Sequence, residues 1–209
     1  QELLNTLNRE MNLNLDRERT QYGNTPRSDI DKGPKFSFFK APITNTKPLR
    51  SITIRDAYNY IVRPYAKERT EILRNEKEKK EARIYKAANF DYVTFCGEFD
   101  VRSNNSVKKV SGLLCIDFDH VEELEVLFTK LLNDEYFNTV LLFRSPSGDG
   151  LKWVIEIPPQ ELPHPFFFKA VENYIFKTYG VNIDGTGKDI SRACFLCYDP
   201  NAFINENYL

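Results

Sequence analysis

The sequence predicts an α+β protein whose C-terminal part has the element order β-α-β-β-α-β, preceded by a further portion of helices and strands. Two observations predict this fold. From residue 110 onward, short apolar runs typical of strands alternate with two stretches of helical periodicity. The second and third of these strands are joined by the turn "SPSGDG", which is typical of a hairpin. In this topology the first and third strands lie side by side in the middle of the sheet.

The chain divides into an arm and one domain. Residues 1–34 are polar, rich in asparagine and arginine, and end in turn-forming residues, so they are expected to form an N-terminal arm. Residues 35–209 are expected to form the domain. Within it, 35–109 make up the N-terminal helical and strand portion, and 110–209 make up the core.

The N-terminal portion begins with a predicted strand at "KFSFFKAPI". Thr53 and Asp56 have the spacing of a capping box, so a helix is expected to begin in "SITIRDAYNYIV". Pro64 interrupts this pattern, and a second, highly charged helix is expected to continue to about Ala87. Its "RNEKEKKEARIYK" part indicates a solvated helical face or, alternatively, a nucleic-acid clamp. "YVTFCGEF" is predicted to be a strand broken at Gly97.

The core elements are predicted as strand, helix, strand, strand, helix and strand. Their positions are 112–118, 121–133, "TVLLFR", "LKWVIEI", 166–179 and "RACFLCY". Gly180 is expected to end the second helix, because glycine readily adopts the left-handed conformation that follows many helices.

Composition limits the classes of function. The 209 residues carry a net charge of −1, so no overall charge indicates nucleic-acid binding. No apolar run is long enough to span a bilayer and no signal peptide is recognisable, so we expect a cytoplasmic protein without a membrane partner. The four cysteines, Cys96, Cys115, Cys194 and Cys197, are expected to be reduced thiols in the core. The alternative for Cys194 and Cys197, in "ACFLCYD", is half of a zinc site.

The first core strand ends in two acids, Asp117 and Asp119. Strand alternation places both on the face opposite the apolar residues that should pack on the helices, Leu114, Ile116 and Phe118. Two carboxylates on an open face repel each other unless a cation lies between them, and Mg²⁺ or Mn²⁺ is the natural occupant. Asp184 precedes the last strand and is the candidate third acid. The alternative is a pair of solvated acids at the end of a strand.

The third core strand should present Lys152 on the same open face, close to the acid pair. The turn before it offers backbone N–H groups that could bind phosphate, or it is an ordinary hairpin turn; its small residues are Ser145, Ser147, Gly148 and Gly150. His120 could be a fourth ligand or an early helix residue, and Arg144 is a possible phosphate contact. The predicted open positions on the two central strands include no aromatic residue, which disfavours a metal-free RNA-binding domain.

The motifs resemble a known superfamily. "LLCIDFDH", "SPSGDGLKWV" and "NIDGTGKDISRACFL" are similar to the three motifs of the archaeo-eukaryotic primases, which include bifunctional primase–polymerase domains. More narrowly, "YVTFCGEFDVR", "SGLLCIDFDH", "SPSGDGLK" and "DISRACFLCYDP" together resemble the VirE N-terminal domain family. Such domains occur in bacterial and mobile-element proteins, usually ahead of a helicase-like or other region. The resemblance covers residues 36–205.

The resemblance implies an RRM-like catalytic core that uses two metal ions to join nucleoside triphosphates on a single-stranded DNA template. It implies that Asp117, Asp119 and Asp184 are metal ligands, with Asp189 as the alternative third acid. Arg192 would contact phosphate or pair with an acid. The triphosphate would be contacted by Ser145, Ser147, Gly148, Gly150 and Lys152.

The second motif departs from the superfamily, which usually has a histidine where this chain has Lys152. A lysine can hold a phosphate but does not titrate near neutral pH as imidazole does. The expected function is a primase–polymerase-like nucleotidyltransferase of a replication or mobile-element protein. The alternatives are a non-catalytic module that binds single-stranded nucleic acid or nucleotide, and a metal-dependent nuclease that uses the same acids.

Overall fold

The computed structural model describes residues 33–157 and 163–209. In these two ranges the chain forms five α-helices and ten β-strands, and every strand pair is antiparallel, so the α+β prediction is confirmed. The predicted arm at 1–34 falls almost wholly outside the described residues. None of the helices in the described ranges combines the length and the hydropathy that crossing a membrane requires.

The strands form two four-stranded sheets and a hairpin. The first sheet has the order β2-β1-β3-β9, where β1 is Lys35–Phe39, β2 is Arg50–Thr53, β3 is Tyr92–Thr94 and β9 is Cys194–Phe195. The second sheet has the order β10-β7-β8-β6, where β6 is Leu113–Phe118, β7 is Thr139–Arg144, β8 is Leu151–Glu156 and β10 is Phe203–Ile204. The hairpin pairs β4, Gly97–Phe99, with β5, Val107–Val110.

The helices are α1 (Ile54–Val62), α2 (Lys67–Asn75), α3 (Lys79–Asn89), α4 (Leu124–Leu132) and α5 (His164–Tyr179). The predicted capping box is present at the start of α1, because the Thr53 hydroxyl accepts the Asp56 N–H and the Asp56 carboxylate accepts the Thr53 N–H. Gly180 ends α5 in the left-handed conformation, as predicted, with φ 69°.

The single charged helix predicted to run to about Ala87 is wrong, because the chain leaves the helical conformation between α2 and α3. Glu76 has ψ 121° and Glu78 has ψ 110°, both extended. The break lets each helix contribute separately to the core: α2 buries Leu73, and α3 packs one side of its surface there. An all-charged stretch offers nothing at 76–78 that would hold a continuous helix against the core.

Both faces of the second sheet are covered. On one face, Leu114, Ile116 and Phe118 pack with α4 and α5, as predicted. The expectation that the opposite face is open is wrong: Leu113 and Val154 lie there and are buried. They share a core with apolar residues of the first sheet and α1, namely Phe36, Phe38, Ile52, Ile54, Ala57 and Ile61. Those side chains need an apolar partner surface, and this face of the second sheet supplies it.

The strand order also differs from the predicted one. β6 pairs with β8 in antiparallel register, as expected, with Asp117 opposite Lys152. However, β6 ends its sheet instead of lying in the middle, because the last predicted strand pairs as β9 with β3 in the first sheet. The outer position beside β7 is taken by β10, which was not predicted. β6 is therefore an edge strand of the second sheet, and the acids lie at its C-terminal end.

Candidate metal centre

Three carboxylates meet at the end of β6. Asp117 lies within the strand, Asp119 directly follows it, and Asp184 precedes the short 3₁₀-helix Gly185–Lys188. One carboxylate oxygen from each acid lies within 4.8 Å of the other two. The Asp184 N–H donates to the Asp117 carbonyl oxygen at 3.0 Å, which joins the two distant chain segments. The structure therefore brings together the three acids that the sequence analysis selected.

Asp117 is paired with Lys152 from the neighbouring strand. The Lys152 ammonium donates to Asp117 Oδ2, and only 8% of Lys152 is exposed. Burial opposes the charged form of Lys152, but the Asp117 carboxylate outweighs it and raises the pKa of the lysine. The predicted proximity of Lys152 to the acids is observed. Its ammonium, however, is already held by a carboxylate.

Asp184 is held by two neighbours. Arg192 Nη2 donates to Asp184 Oδ2 at 2.7 Å, and the Thr186 backbone N–H donates to Asp184 Oδ1 at 2.9 Å. Partial burial favours the protonated form, yet these hydrogen bonds and the arginine charge together lower the pKa of Asp184. Arg192 thus takes the acid-pairing role, one of its two predicted alternatives, and Asp184 is kept ionised.

Two carboxylate groups of the cluster have unused oxygen atoms. Asp119 makes no hydrogen bond or ion pair within the described ranges. Its partial burial is the larger cause, and the nearby Asp117 charge the second, of a raised pKa of this carboxyl. Asp117 Oδ1 is buried and has no hydrogen-bond partner among those residues. A buried, unpaired carboxylate oxygen is unfavourable. An all-oxygen donor set with spare lone pairs fits Mg²⁺ or Mn²⁺.

The other candidate third acid lies elsewhere. Asp189 accepts a hydrogen bond from Asn104 Nδ2 at 3.3 Å and contributes no atom to the three-carboxylate cluster. Asn104 Oδ1 also accepts the Ser191 N–H, so Asn104 holds the segment that contains Asp189 and Ser191. Of the two alternatives, Asp184 is the acid that the structure places with Asp117.

The turn at residues 145–150, called the serine–glycine turn below, lies against the end of β6. The Ser145 N–H donates to the Gly150 carbonyl at 2.7 Å, and the Gly148 N–H donates to the Ser145 carbonyl at 2.9 Å, so both are used within the turn. Gly148 has φ 86°, which favours glycine. A Cβ on Gly150 would lie 2.1 Å from the Phe118 carbonyl oxygen. Ser147 is exposed at the tip. Gly148 is thus required by the backbone conformation of the turn, and Gly150 by the close packing of the turn on the strand.

His120 and Arg144 do not join the acid cluster. His120 is neither a fourth ligand of the cluster nor part of α4: it has φ 52°, and its Nδ1 lies 2.6 Å from Asp149 Oδ2. Arg144 pairs with Glu125 and with the buried Asp199, which accounts for its charge without a phosphate. The four cysteines are free thiols, and no cysteine contributes to a metal-binding group in the described ranges.

Two cations near the site, Arg74 and Lys86, lie in the stretch "RNEKEKKEARIYK", but the sequence analysis did not single them out as site residues. Arg74, from α2, donates to the carbonyls of Ser145 and Pro146 at 3.2 and 3.3 Å and so supports the turn. Lys86, from α3, places its ammonium 5.8 Å from the centre of the Phe195 ring. One signal was available in the sequence: helical spacing places Lys86 on the same side of α3 as Ala82 and Asn89. In the structure this side is partly buried and also includes Tyr85 and Ala87.

The cavity at the cluster is small. It has a volume of about 20 Å³, is lined by Asp117, Lys152 and Arg192 among others, and has room for about one water molecule. A substrate as large as a nucleotide would therefore lie over the exposed side of the cluster, where Asp119 faces solvent.

Comparison with known proteins gives one match. The model of the family described as BT4734-like, N-terminal domain, matches residues 85–203, more than half of the chain and the range that includes every residue of the acid cluster. No curated protein and no solved structure matches the chain. The resemblance to VirE N-terminal domains and to primases remains a prediction. The chain belongs to the BT4734-like, N-terminal domain family.

Proposed function

We propose that this domain is a metal-dependent nucleotidyltransferase of the primase–polymerase type. The observation that carries the proposal is the meeting of the Asp117, Asp119 and Asp184 carboxylates within 4.8 Å of one another. When bound, Mg²⁺ or Mn²⁺ would polarise the α-phosphate of a nucleoside triphosphate and stabilise the charge of the leaving pyrophosphate. The domain would act in a cytoplasmic replication or mobile-element protein, ahead of a helicase-like region.

Each acid has a distinct support in this proposal. Asp117 is fixed by its strand and paired with Lys152, whereas Asp184 is oriented by Thr186 and Arg192. Asp119 is the most accessible of the three and is free to turn toward a ligand. The chain segment β6-α4-β7-β8-α5 supports an RRM-like core, in which the final strand has moved to the first sheet.

The position of the nucleic acid follows from the buried faces of the second sheet. Because the first sheet covers the face of the second sheet that carries Asp117 and Lys152, the template would approach the edge of β6. The elements around that edge are the serine–glycine turn, the segment Gly185–Lys188 and the last turn of α3. These elements would meet the template and the incoming nucleotide.

A second candidate function is a non-catalytic module that binds nucleotide or single-stranded nucleic acid. It is favoured by the two ion pairs of the cluster, since Lys152 and Arg192 already compensate two of the three carboxylates. An ion-pair network of this kind is compatible with a site that has lost its metal. The two candidates therefore differ in one testable respect: the nucleotidyltransferase has a turnover that depends on Asp119, whereas the non-catalytic module binds its ligand without turnover.

The deciding experiment compares the wild-type protein with Asp119→Asn. Each is incubated with primed or unprimed single-stranded DNA, Mg²⁺ or Mn²⁺, and labelled ribonucleoside or deoxyribonucleoside triphosphates. We expect extension by the wild type and a loss of at least about a hundredfold in Asp119→Asn, because one metal ligand contributes several kcal/mol to the transition state. Asp189→Asn tests the alternative third acid and should retain activity.

A matched control is Asp100→Asn, which makes the same change in an exposed acid that pairs with Lys108 outside the cluster. Cleavage of the template that depends on Asp119 would indicate the nuclease. Binding of nucleotide or DNA without turnover, equal in all three variants, would indicate the non-catalytic module and refute the proposed transfer reaction.

A further inference from the structure

The acid cluster needs a cation that is free to meet a substrate phosphate. A phosphate brought beside three carboxylates is repelled by them, and a bound metal compensates only part of that charge. Of the nearby cations, Lys152 is held by Asp117 and Arg192 by Asp184. Arg74 is occupied by the carbonyls of the serine–glycine turn. The charges of Lys152 and Arg192 are therefore compensated by carboxylates, whereas Arg74 keeps its charge but directs two of its N–H groups to the turn.

Lys86 differs from Lys152 and Arg192 because no carboxylate in the described part of the chain lies within ion-pair distance of its ammonium, and it differs from Arg74 because it donates no hydrogen bond there. Its ammonium nitrogen lies over the Phe195 ring, 5.8 Å from the ring centre. Partial burial, and next the Lys152 charge, lower the pKa of Lys86, although Asp117, Asp119 and Asp149 act in the opposite direction. A half-buried ammonium without a counter-ion is unfavourable, and an anionic ligand would relieve that cost.

The position of Lys86 is fixed by its helix. It lies in the last turn of α3, and its partly buried neighbours Ala82 and Tyr85 pack against the core that the two sheets share. Phe195, beneath its ammonium, belongs to β9, whose Cys194 lines the cavity at Asp117 together with Lys152. The Asp149 charge that acts on Lys86 comes from the serine–glycine turn. The ammonium of Lys86 therefore lies within electrostatic range of both that turn and the cluster.

We propose that Lys86 binds the phosphate group of the substrate at the acid cluster, the role that the sequence motif suggested for Lys152. This inference rests on the proposed function, since it assigns a residue to the same site. The phosphate could belong to the tail of a nucleoside triphosphate or to the backbone of a nucleic acid. In both cases its oxygens accept hydrogen bonds from the Lys86 ammonium while the carboxylates hold the metal ion.

The test measures binding by titration calorimetry in the wild type and in Lys86→Met. The probes are Mn²⁺ alone, inorganic triphosphate with Mn²⁺, a nucleoside triphosphate with Mn²⁺, and a short single-stranded oligonucleotide with Mn²⁺. We expect Lys86→Met to weaken binding of at least one phosphate probe about tenfold or more, because a charge-assisted hydrogen bond is lost. The affinity for Mn²⁺ alone should stay equal or rise, since a nearby positive charge is removed.

Lys80→Met is the matched control, because Lys80 is exposed on a different side of the same helix. The Lys80→Met protein should bind every probe as the wild type does. Lys86→Arg keeps the charge and should retain most of the phosphate affinity, which a purely structural role in packing would not require. Loss in the triphosphate arms alone identifies the nucleotide tail, and loss in the oligonucleotide arm alone identifies the nucleic-acid backbone.

The two proposals can fail separately. If the wild type binds Mn²⁺ and phosphate probes but Lys86→Met binds them as well as Lys80→Met does, the role of Lys86 is refuted and the metal centre stands. If the wild type binds neither Mn²⁺ nor any phosphate probe, the proposed function is refuted, and the inference about Lys86 is refuted with it.

Discussion

Replacing Lys152 by methionine should destabilise the protein more than any comparable change at a surface lysine. The side chains of Lys152 and Asp117 are only 10% and 19% exposed, and methionine keeps most of the lysine volume while removing its charge. Removing one partner of a buried ion pair costs about 3–5 kcal/mol. Because Asp117 keeps some contact with solvent, we expect a loss near the lower end, about 3 kcal/mol.

Urea unfolding followed by circular dichroism measures this loss. With a slope of about 2–3 kcal/mol per M, a loss of about 3 kcal/mol lowers the midpoint by about 1 M. The control is Lys108→Met, since Lys108 and Asp100 pair at 3.1 Å with side chains that are 58% and 71% exposed. A pair so exposed contributes about 0.5 kcal/mol or less.

Added Mn²⁺ should stabilise Lys152→Met more than the wild type, because the variant leaves the carboxylate cluster with less positive charge to compensate it. The reasoning is refuted if Lys152→Met unfolds at the same urea concentration as Lys108→Met. It is also refuted, as regards the metal, if Mn²⁺ leaves the midpoint of Lys152→Met unchanged.

Three further predictions concern the supports of the site and fold. Gly150→Ala should cost about 2 kcal/mol or more, as seen in urea unfolding, since its Cβ would lie 2.1 Å from the Phe118 carbonyl oxygen; an unchanged midpoint would contradict that close contact. His164 is buried against the Gly187 carbonyl and burial lowers its pKa, so the unfolded state binds a proton more readily. Stability should therefore fall as the pH drops below about 6.5, and His164→Gln should flatten that slope; equal slopes in both proteins would exclude His164 as the cause. Thr53→Ala removes the capping box and should cost about 1 kcal/mol in the same assay, whereas a loss near zero would show that α1 does not depend on its cap.

Local patterns predicted most of the elements. The capping box, the helix-ending glycine and the β7–β8 hairpin each depend on residues that are close in sequence or joined by a short turn. The meeting of Asp117 with Asp119 follows from strand alternation alone. Asp184 could be selected because it precedes the last strand, which made it a candidate for the same sheet edge.

Longer-range features could not be predicted in the same way. The pairing of β3 with β9 joins residues about a hundred positions apart, and no short motif marks it. The covered face of the second sheet was mistaken for an open one because it carries Lys152 and Asp117, which look solvent-exposed in the sequence. Once the two charges pair, that part of the face can be buried. Lys86 was missed because a lysine in a lysine-rich helix carries no distinguishing mark except its side of the helix.

The shared core of the two sheets bears on how relatives should be produced in the laboratory. The family match begins at residue 85, but β1, β2, α1 and α2 all precede it. A fragment cut to 85–203 would lose the strand that pairs with β3 and would expose the buried Val154 side of the second sheet to water. Such a fragment should aggregate on expression. Recombinant versions of these proteins should therefore start upstream of Lys35.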